Sequence, residues 1–412
     1  MEMNNETGAA KGILAPKGFE AAYTSAGIKK NNALDMALIY SETPCIAAGT
    51  FTRNRVFAAP VQWDRGLIQT SPCFNAIVVN AGVANACTGE KGLQDCKDTA
   101  EAVAKNISCN PENVLICSTG VIGANLPMDK IKSGIEAMAK TLSSNPQNGH
   151  GAAKAIMTTD TRPKEVSITV DIDGTPVTIG GMCKGAGMIH PNMATMLCFV
   201  TTDVLIKKKL LTTAFKEVID DSFNMISVDG DTSTNDTAIV LANGKAENKI
   251  IDSKNESYET FKRALGHVCT ELAKMIACDG EGCTALIEAT VCNAKTRDDA
   301  RTLAKSIVTS SLTKAAVFGH DANWGRILAA MGYSGVDFDP EIVDIFVSSN
   351  NGRLQLVKDG IATDYSEDEA TSILSGNPVI ITADIKKGGE TATAWGCDLT
   401  LEYVKINADY RS

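Results

Sequence analysis

The sequence has few aromatic residues, few histidines and no excess of positive charge. Aromatic residues make up 5% of the 412 residues, there are 4 histidines, and the formal net charge is -10. Nucleic-acid-binding domains usually carry a basic face or stripe. Here the one basic run, Lys207–Lys209, lies in a segment predicted as a helix, Leu205–Phe223, where such a run is typically a solvated face. We therefore expect no nucleic-acid partner.

Long apolar runs and paired cysteine motifs are also missing. No apolar stretch approaches the roughly 20 residues that cross a bilayer, and the polar N-terminus lacks the basic and apolar parts of a secretory signal. The 13 cysteines are spread from Cys45 to Cys397 without a Cys-x-x-Cys pair, as is usual for free thiols in a reducing compartment. Neither His-Glu-x-x-His nor a Cys/His zinc spacing occurs, so we expect no metal. These absences predict a cytoplasmic protein with no membrane partner.

The length and the apolar patterns predict two lobes of the α/β class, with mixed sheets layered with helices. A single core usually stops growing at about 250–300 residues, which the chain exceeds. Helical spacing predicts helices over Met128–Leu142 and Tyr258–Met275, besides the one at Leu205–Phe223. Short apolar runs bounded by turn residues predict strands. These are Leu34–Tyr40, Ala76–Asn80, Val114–Cys117, Met196–Val200, Val343–Val347, Pro378–Ile385 and Leu399–Ile406.

A glycine-rich loop, Gly185–Ala194, carries one threonine, Thr195, to the start of an apolar run. Alternation over Val166–Ile172, followed by the turn pair Asp173-Gly174, predicts a β-hairpin that leads into this loop. If the chain were cut before Thr195, the new α-amino group would lie beside the threonine hydroxyl. Threonine with an N-terminal amine is a self-contained nucleophile and base. The alternative from local sequence is a loop that simply enters a core strand.

Three further segments are dense in glycine and small polar residues: Cys117–Gly123, Asn80–Gly89 and Ser227–Asp236. The first follows a predicted strand, so its N–H groups either form an anion-holding nest or belong to an ordinary strand-to-helix turn. The other two either line a polar pocket or satisfy buried loop backbone. His190 and His320 are possible catalytic histidines, but a lone histidine is more often structural.

Taken together, four distant segments resemble the ornithine acetyltransferase (glutamate N-acetyltransferase) family of arginine biosynthesis. They are Ile156–Thr161, Lys184–Leu197, Ser222–Asn235 and Val404–Ser412. The resemblance runs from about Gly12 to the last residue. It implies a two-lobed sandwich of the ornithine acetyltransferase/DmpA-like kind, in which the precursor cleaves itself between Ala194 and Thr195. The products would be an α chain of residues 1–194, carrying the oxyanion hole, and a β chain of residues 195–412, carrying the nucleophile. In this family the two chains stay associated, usually as an α₂β₂ assembly.

The resemblance also implies the reaction and its residues. The family moves an acetyl group from N-acetylornithine to glutamate through an acetyl-threonine, which here would be Thr195. Some members also accept acetyl-CoA, so this second donor stays open, and no cofactor is implied. By residue match, Thr119 and Gly120 are the expected oxyanion hole. The positions that match substrate contacts are Thr158, Lys184, Thr195, Glu281, Asn407 and Ser412.

The residue types at these positions suit a zwitterionic amino acid. We hypothesise that Lys184, with Asn407 and Ser412, holds a carboxylate, and that Glu281 faces an ammonium. The sequence departs from the family pattern at Cys283–Ala285, where Ala-Thr-Lys is common, and at Val83, where Asn is common. Neither departure touches the nucleophile, but the missing lysine bears on the choice of donor. Two alternatives stay open: an amidase or aminopeptidase with the same nucleophile, and an uncleaved binding protein without catalysis.

Overall fold

A computed structural model describes residues 12–190 and 196–409. They form two compact units. The first comprises the described residues of Met1–Gly185, Pro191–Asn224 and Thr232–Leu272. The second comprises those of Ala186–His190, Met225–Asp231 and Ala273–Ser412. These units divide the chain by compactness, whereas the expected α and β chains divide it at one peptide bond. The division into residues 1–194 and 195–412 therefore stays a prediction.

The strands, in chain order, are β1 (Phe19–Thr24), β2 (Met36–Phe51), β3 (Phe74–Val83), β4 (Val114–Val121), β5 (Lys164–Ile172), β6 (Thr175–Lys184), β7 (Leu197–Thr202), β8 (Ile226–Ser227), β9 (Thr237–Ala242), β10 (Leu286–Ala294), β11 (Asp344–Ser349), β12 (Gly352–Lys358), β13 (Ile361–Ala362), β14 (Val379–Asp384) and β15 (Glu390–Cys397).

The helices are α1 (Ala59–Thr70), α2 (Gly89–Ile107), α3 (Met128–Ala139), α4 (Pro146–Ala155), α5 (Lys208–Asp221), α6 (Glu256–Ala277), α7 (Arg297–Thr309), α8 (Ser311–Phe318), α9 (Trp324–Gly332), α10 (Glu367–Leu374) and α11 (Leu401–Asp409). Short 3₁₀ turns lie at Gly12–Leu14, Pro111–Asn113, Phe223–Met225 and Pro340–Ile342. None of the helices in the described part of the chain is long and apolar enough to span a membrane.

The first unit is built on an eight-stranded mixed sheet. Its order is β4-β3-β2-β9-β7-β6-β5, with β1 paired to β2. The long strand β2 joins two parts of this sheet, because Met36–Tyr40 pairs with β3 whereas Ile46–Phe51 pairs with β9. The register breaks between these two halves.

Both faces of this sheet are covered. Along β3, Ile77 and Val79 pack into one hydrophobic cluster, whereas Ala76 and Val78 pack into a second one. Successive side chains of a strand point to opposite faces, so a strand that is buried on both sides reads as a continuous apolar run. This explains why β3 and β4 were recognisable from short apolar runs without alternation.

The predicted hairpin is confirmed. β5 and β6 pair antiparallel up to Ile172 and Thr175, and the turn residues Asp173 and Gly174 have φ of 53° and 81°. A two-residue turn with both central residues in the left-handed region matches the twist of the strands, and Asp-Gly is a preferred pair for it.

The second unit contains a seven-stranded sheet of order β13-β12-β11-β14-β10-β15-β8. Helix α7 lies against β10 and β15. It buries one apolar face that recurs at helical spacing: Ala300, Leu303, Ala304, Ile307 and Val308. The α/β class with mixed sheets and helices is therefore confirmed, as are the strands predicted at Val343–Val347 and Pro378–Ile385 and the three predicted helices.

One predicted strand is wrong. Leu399–Ile406 contains most of α11 instead, and no residue of that helix is buried; Leu401 is 81% exposed. The Thr400 hydroxyl accepts a hydrogen bond from the Tyr403 N–H at 3.3 Å, which is the contact that starts a helix. The β-branched and aromatic residues of this run suggested a strand, but strand propensity depends on burial against neighbouring strands.

The clearest amphipathic helix gives a test of the packing in the first unit. We expect Phe261→Ala in α6 to lower the free energy of unfolding by about 3–5 kcal/mol, because it removes a fully buried ring and leaves a cavity. Urea denaturation followed by circular dichroism measures the change. The control is Arg263→Ala on the exposed face of the same helix, which should cost no more than about 0.5 kcal/mol. Equal effects of the two substitutions would contradict this packing.

Candidate active site

The residues that follow Thr195 are held in the middle of the first sheet. Strand β7 is buried throughout and pairs with β6 on one side and β9 on the other. At its start Leu197 lies opposite Lys184 and Thr237, and the Thr237 N–H donates to the Met196 carbonyl at 3.0 Å. The chain next to the predicted nucleophile is therefore fixed from both sides. Ala194, Thr195 and Ser412 lie outside the described residues.

The Asp160 carboxylate joins the segments that carry two predicted substrate-contacting residues. One oxygen accepts from the Lys164 ammonium and from the Gly185 N–H, both at 2.6 Å. The other accepts from the Thr158 N–H at 2.9 Å. The side chain of Asp160 is fully buried, and that of Lys164 is 1% exposed. This buried carboxylate thus fixes Thr158 and the backbone just after Lys184.

The ionisation of Asp160 follows from its neighbours. Burial alone would raise its pKa, but the ammonium groups of Lys184 and Lys164 and the Gly185 N–H lower the pKa to about 2. Both the nearby positive charges and the hydrogen bonds favour the charged form. Asp160 is therefore an anion at neutral pH, and it lies among cations that would otherwise repel one another.

Lys184 has a different environment from Lys164. Lys184 is 7% exposed at the end of β6. Among the described residues its ammonium has no hydrogen bond or carboxylate within ion-pair distance, although Asp160 acts on it at longer range. Buried cations are normally paired, so an ammonium held without a direct partner suits an anionic group of a ligand.

Thr119 and Gly120 lie inside β4, because that strand runs on to Val121 rather than ending near Cys117 as predicted. Gly120 faces Gly82 of β3, and φ is 129° at Gly120 and 118° at Gly82. A Cβ at Gly120 would lie 2.3 Å from the Gly82 carbonyl carbon. Two glycines are needed here because the backbones touch and only glycine adopts this φ without strain. The register of the pairing shifts between Gly82 and Val83, opposite Thr119 and Gly120, as it does at a β-bulge.

Two of the polar segments, Asn80–Gly89 and Ser227–Asp236, contain side chains or carbonyls whose hydrogen bonds satisfy buried loop backbone. The Asn235 amide donates to the Ala84 and Ser118 carbonyls at 2.6 and 2.8 Å, and the Ser118 hydroxyl donates to the Asn80 side chain at 2.6 Å. These contacts hold the loops against the end of β4, next to Thr119.

In the second unit, Glu281 and Asn407 are brought together. The Asn407 amide donates to the Glu281 carboxylate at 2.8 Å, and the Glu281 N–H donates to the Ala186 carbonyl at 3.0 Å. A Cβ on Gly187 would lie 2.3 Å from the same carboxylate, so a side chain at this position would displace it. The loop Ala186–His190 is fixed further by Asp229, which accepts from the N–H groups of its third and fourth residues at 2.6 and 2.9 Å.

The two histidines considered above are held differently. The His190 ring lies 3.1 Å from the Ser227 hydroxyl, and burial together with the charge of Lys305 lowers its pKa to about 4. His190 is therefore neutral near pH 7. His320 is exposed, with φ of 52° at the end of α8.

Sequence reasoning missed the residues that position others. Asp160 was only part of a matching motif. Its ion pair with Lys164, four residues on, has no local signal, because the segment between them is not helical and the helical spacing rule does not apply. Lys29 was not singled out at all, although its ammonium donates to the Met157 carbonyl at 2.6 Å and so fixes the chain before Thr158. Asp229 lay in a segment that was read only as a polar loop.

The Asp160 contacts predict a large effect from a small substitution. We expect Asp160→Asn to lower the free energy of unfolding by about 3 kcal/mol at pH 7, because it leaves the buried Lys164 without its carboxylate. The control is Asp98→Asn, which removes a partly exposed ion pair with Lys132 and should cost less than about 1 kcal/mol. Similar losses in the two variants would contradict the role given to Asp160.

This difference should also depend on pH. The folded-state pKa of Asp160, about 2, is below the ordinary aspartate value of about 3.9. A carboxylate with a lowered pKa adds stability above its unfolded pKa, and that stability is lost as the pH falls towards the folded value. The gap between wild type and Asp160→Asn should therefore be constant above pH ~5 and shrink from pH ~4 to pH ~2 in urea titrations. A constant gap over that range would count against the ionised form.

Comparison with known proteins agrees with the resemblance noted in the sequence. The profile of the ArgJ family matches residues 20–412. The arginine biosynthesis bifunctional protein ArgJ 1 of Clostridium acetobutylicum is 52% identical over 394 residues, 96% of each chain. The glutamate N-acetyltransferase of Methanocaldococcus jannaschii is 47% identical over 405 residues, 97% of this chain and 98% of its own. A crystal structure of the ArgJ protein of Bacillus halodurans aligns with a TM-score of 0.49 and 45% identity, over 52% of this chain and 98% of that one. The chain belongs to the ArgJ family.

Proposed function

We propose that this protein is an acetyltransferase that moves the acetyl group of N-acetylornithine to glutamate, with Thr195 as the acetyl carrier. The observation that carries the proposal is the family match over residues 20–412, which includes the Lys184–Leu197 segment with its Ala194-Thr195 bond. Products of the full cycle are ornithine and N-acetylglutamate, which places the enzyme in arginine biosynthesis.

The first step is self-cleavage. The Thr195 hydroxyl attacks the Ala194 carbonyl, the C–N bond breaks, and the acyl group passes from nitrogen to oxygen as an ester. Water then hydrolyses this ester, which leaves the Ala194 carboxylate and a free Thr195 with an α-amino group. The firm hold on Met196 and Leu197 in the sheet supports this step, because it fixes the chain on one side of the bond that breaks.

Acetyl transfer uses the new amine. Its reference pKa is about 7.7–8.0, so a useful fraction is neutral near pH 7 and accepts the hydroxyl proton. The oxygen attacks the acetyl carbonyl of N-acetylornithine, ornithine leaves with the proton, and an acetyl ester remains on Thr195. The amine of glutamate then attacks this ester and takes the acetyl group. Thr119 and Gly120 donate to the oxyanion in both halves, and the loss of one such donor typically slows a reaction about 10²- to 10³-fold.

The charged residues bind the ends of the amino acid substrates. Lys184 holds a carboxylate, and this is supported by its ammonium, which lacks a direct partner in the described part of the chain. Glu281 faces an ammonium. Asn407 orients the Glu281 carboxylate rather than binding a carboxylate itself, because its amide already donates to Glu281 at 2.8 Å. Thr158, fixed through Asp160, and Ser412 complete the substrate contacts.

We propose the assembly and the setting by analogy with the family that the sequence resembles. The two chains stay associated after cleavage and form an α₂β₂ heterotetramer, which works in the cytoplasm. Acetyl-CoA is proposed as a second acetyl donor because some members of the family that the sequence resembles accept it.

Self-cleavage is tested by intact mass. We expect purified wild type to give two fragments, residues 1–194 and 195–412, and Thr195→Ala to give one uncut chain without activity. Thr169→Ala, an exposed threonine on β5, is the control and should cleave like wild type. A cut at any other bond, or a cleaved Thr195→Ala, would disprove the assignment of the nucleophile. Acetate released from N-acetylornithine as fast without glutamate as N-acetylglutamate forms with it would favour the amidase instead.

The assignment of Glu281 is tested by kinetics. Glu281→Gln should raise the KM of at least one of the two substrates roughly tenfold, because a charge-assisted hydrogen bond to an ammonium becomes a neutral one. The control is Glu402→Gln, an exposed glutamate on α11. Unchanged KM values for both N-acetylornithine and glutamate would rule out the proposed contact.

A further inference from the structure

An open cavity of about 480 Å³ lies in the first unit, where β2 ends and α1 begins. Its lining combines three arginines with two phenylalanine rings: Arg53, Arg55, Arg65, Phe51 and Phe57. The volume is within the range of about 300–1,000 Å³ that is usual for small-molecule sites. None of these residues was assigned a role in acetyl transfer above.

The loop that forms this cavity is fixed. The Thr52 N–H donates to the Asp236 carbonyl at 2.9 Å, and its hydroxyl donates to the Ser233 carbonyl at 2.8 Å. The Asn54 amide donates to the Thr232 carbonyl at 2.9 Å. The arginines on either side of Asn54 are therefore presented by a backbone that needs no rearrangement, which lowers the cost of binding.

Three arginines give the cavity a positive charge. In the described residues, Arg53, Arg55 and Arg65 form no ion pair with a carboxylate, although the whole chain has an excess of acidic residues. The Arg65 guanidinium donates to the Thr52 carbonyl at 3.0 Å and lies over the Phe51 and Phe57 rings at 5.8 and 5.2 Å. Three uncompensated guanidinium groups around one cavity favour an anion, and phosphate is the anion whose geometry they match best.

Gly49 and Thr50 also line the cavity. The Thr50 hydroxyl, in a residue that lines the cavity, is buried without a hydrogen-bond partner. A Cβ on Gly49 would lie 2.6 Å from Ile68 and 2.9 Å from the Phe51 ring. A side chain at Gly49 would therefore push on the ring that forms part of the cavity wall.

The cavity lies at the same end of the sheet strands as the chain next to the nucleophile. Phe51 is paired with Thr237, and Thr237 is paired with Leu197, so the three residues form one row across β2, β9 and β7. Two neighbouring strand spacings are each about 4.8 Å, which puts the end of β2 on the order of 10 Å from the start of β7. A ligand whose anionic end lies in the cavity can therefore extend a long arm to the start of β7, the described chain next to the predicted nucleophile.

We propose that this cavity binds the phosphate groups of acetyl-CoA. Arg53 and Arg55 hold the phosphates, the adenine ring lies against Phe57, and the pantetheine arm carries the thioester to Thr195. This assignment rests on the proposed function, because it names the site of a second acetyl donor for the same threonine. In this transfer the Thr195 oxygen attacks the thioester carbonyl, the C–S bond breaks, and the thiol leaves with the hydroxyl proton.

Calorimetric titration of the cleaved enzyme tests the site. The probes are acetyl-CoA, adenosine 3′,5′-bisphosphate, pyrophosphate and citrate, added to wild type, Arg53→Gln, Arg55→Gln and the control Arg263→Gln, an exposed arginine on α6. We expect acetyl-CoA and the bisphosphate to compete for one site, with Kd raised roughly 10- to 100-fold in each cavity variant and unchanged in the control. Equal binding of citrate and the bisphosphate would overturn the nucleotide assignment, and so would Kd values that do not change in the cavity variants.

Activity measurements separate this inference from the proposed function. In Arg53→Gln and Arg55→Gln, formation of N-acetylglutamate from acetyl-CoA should lose affinity for the coenzyme, while transfer from N-acetylornithine keeps wild-type kcat and KM. If wild type uses N-acetylornithine but neither binds nor uses acetyl-CoA, the inference fails and the proposed function stands. If both reactions fall equally in the variants, the cavity is a structural element and the inference also fails.

Discussion

A buried carboxylate surrounded by lysines is the interaction on which the candidate site of the first unit depends. Asp160 compensates Lys164 directly and Lys184 at longer range, and its oxygens also hold the backbone of Thr158 and Gly185. A buried charge without a partner is far more costly than a buried pair. The same carboxylate therefore permits two lysines to lie in the interior. It also fixes the backbone at Thr158 and at Gly185, the residue after Lys184.

The charged residues of the candidate site and of the cavity differ in whether a charged partner lies beside them. Lys164 and Asp160 satisfy each other, so they stabilise the fold and have little left to offer a ligand. Lys184, Arg53 and Arg55 are held by the backbone around them, but no described carboxylate pairs with them directly. In a chain of net charge -10, cations that remain uncompensated mark where anionic ligands are favoured. Enzymes commonly hold such groups ready, because a rigid and unpaired charge does not need to be freed before the ligand binds.

The sequence predicted the elements whose signal is local. Apolar runs located β3, β4 and β7, the Asp173-Gly174 pair located a hairpin, and helical spacing located α6. It failed at α11, because exposed β-branched residues resemble a strand until the capping contact of Thr400 is seen. The sequence alone did not predict contacts between distant segments, because these depend on how strands and loops pair. Examples are the approach of Gly82 to Gly120, the hydrogen bond from Asn407 to Glu281, and the cavity lined by Arg53 and Arg65. The roles of the site residues came from the family resemblance rather than from any local pattern.

The strand order of the first sheet has a consequence for how the protein is made. Strands β7 and β9 follow the predicted cleavage point in sequence but lie between β2 and β6, which precede it. The two products would therefore be interleaved within a single sheet, with hydrogen-bonded neighbours from the other product on both sides. Neither product would hold all strands of this first sheet, although the seven-stranded sheet lies wholly within residues 195–412. The uncut chain would therefore have to fold first, and the products could not be exchanged between molecules without opening the first sheet. If the chain is cut as predicted, the covalent continuity of the precursor would thus be needed for assembly and dispensable afterwards.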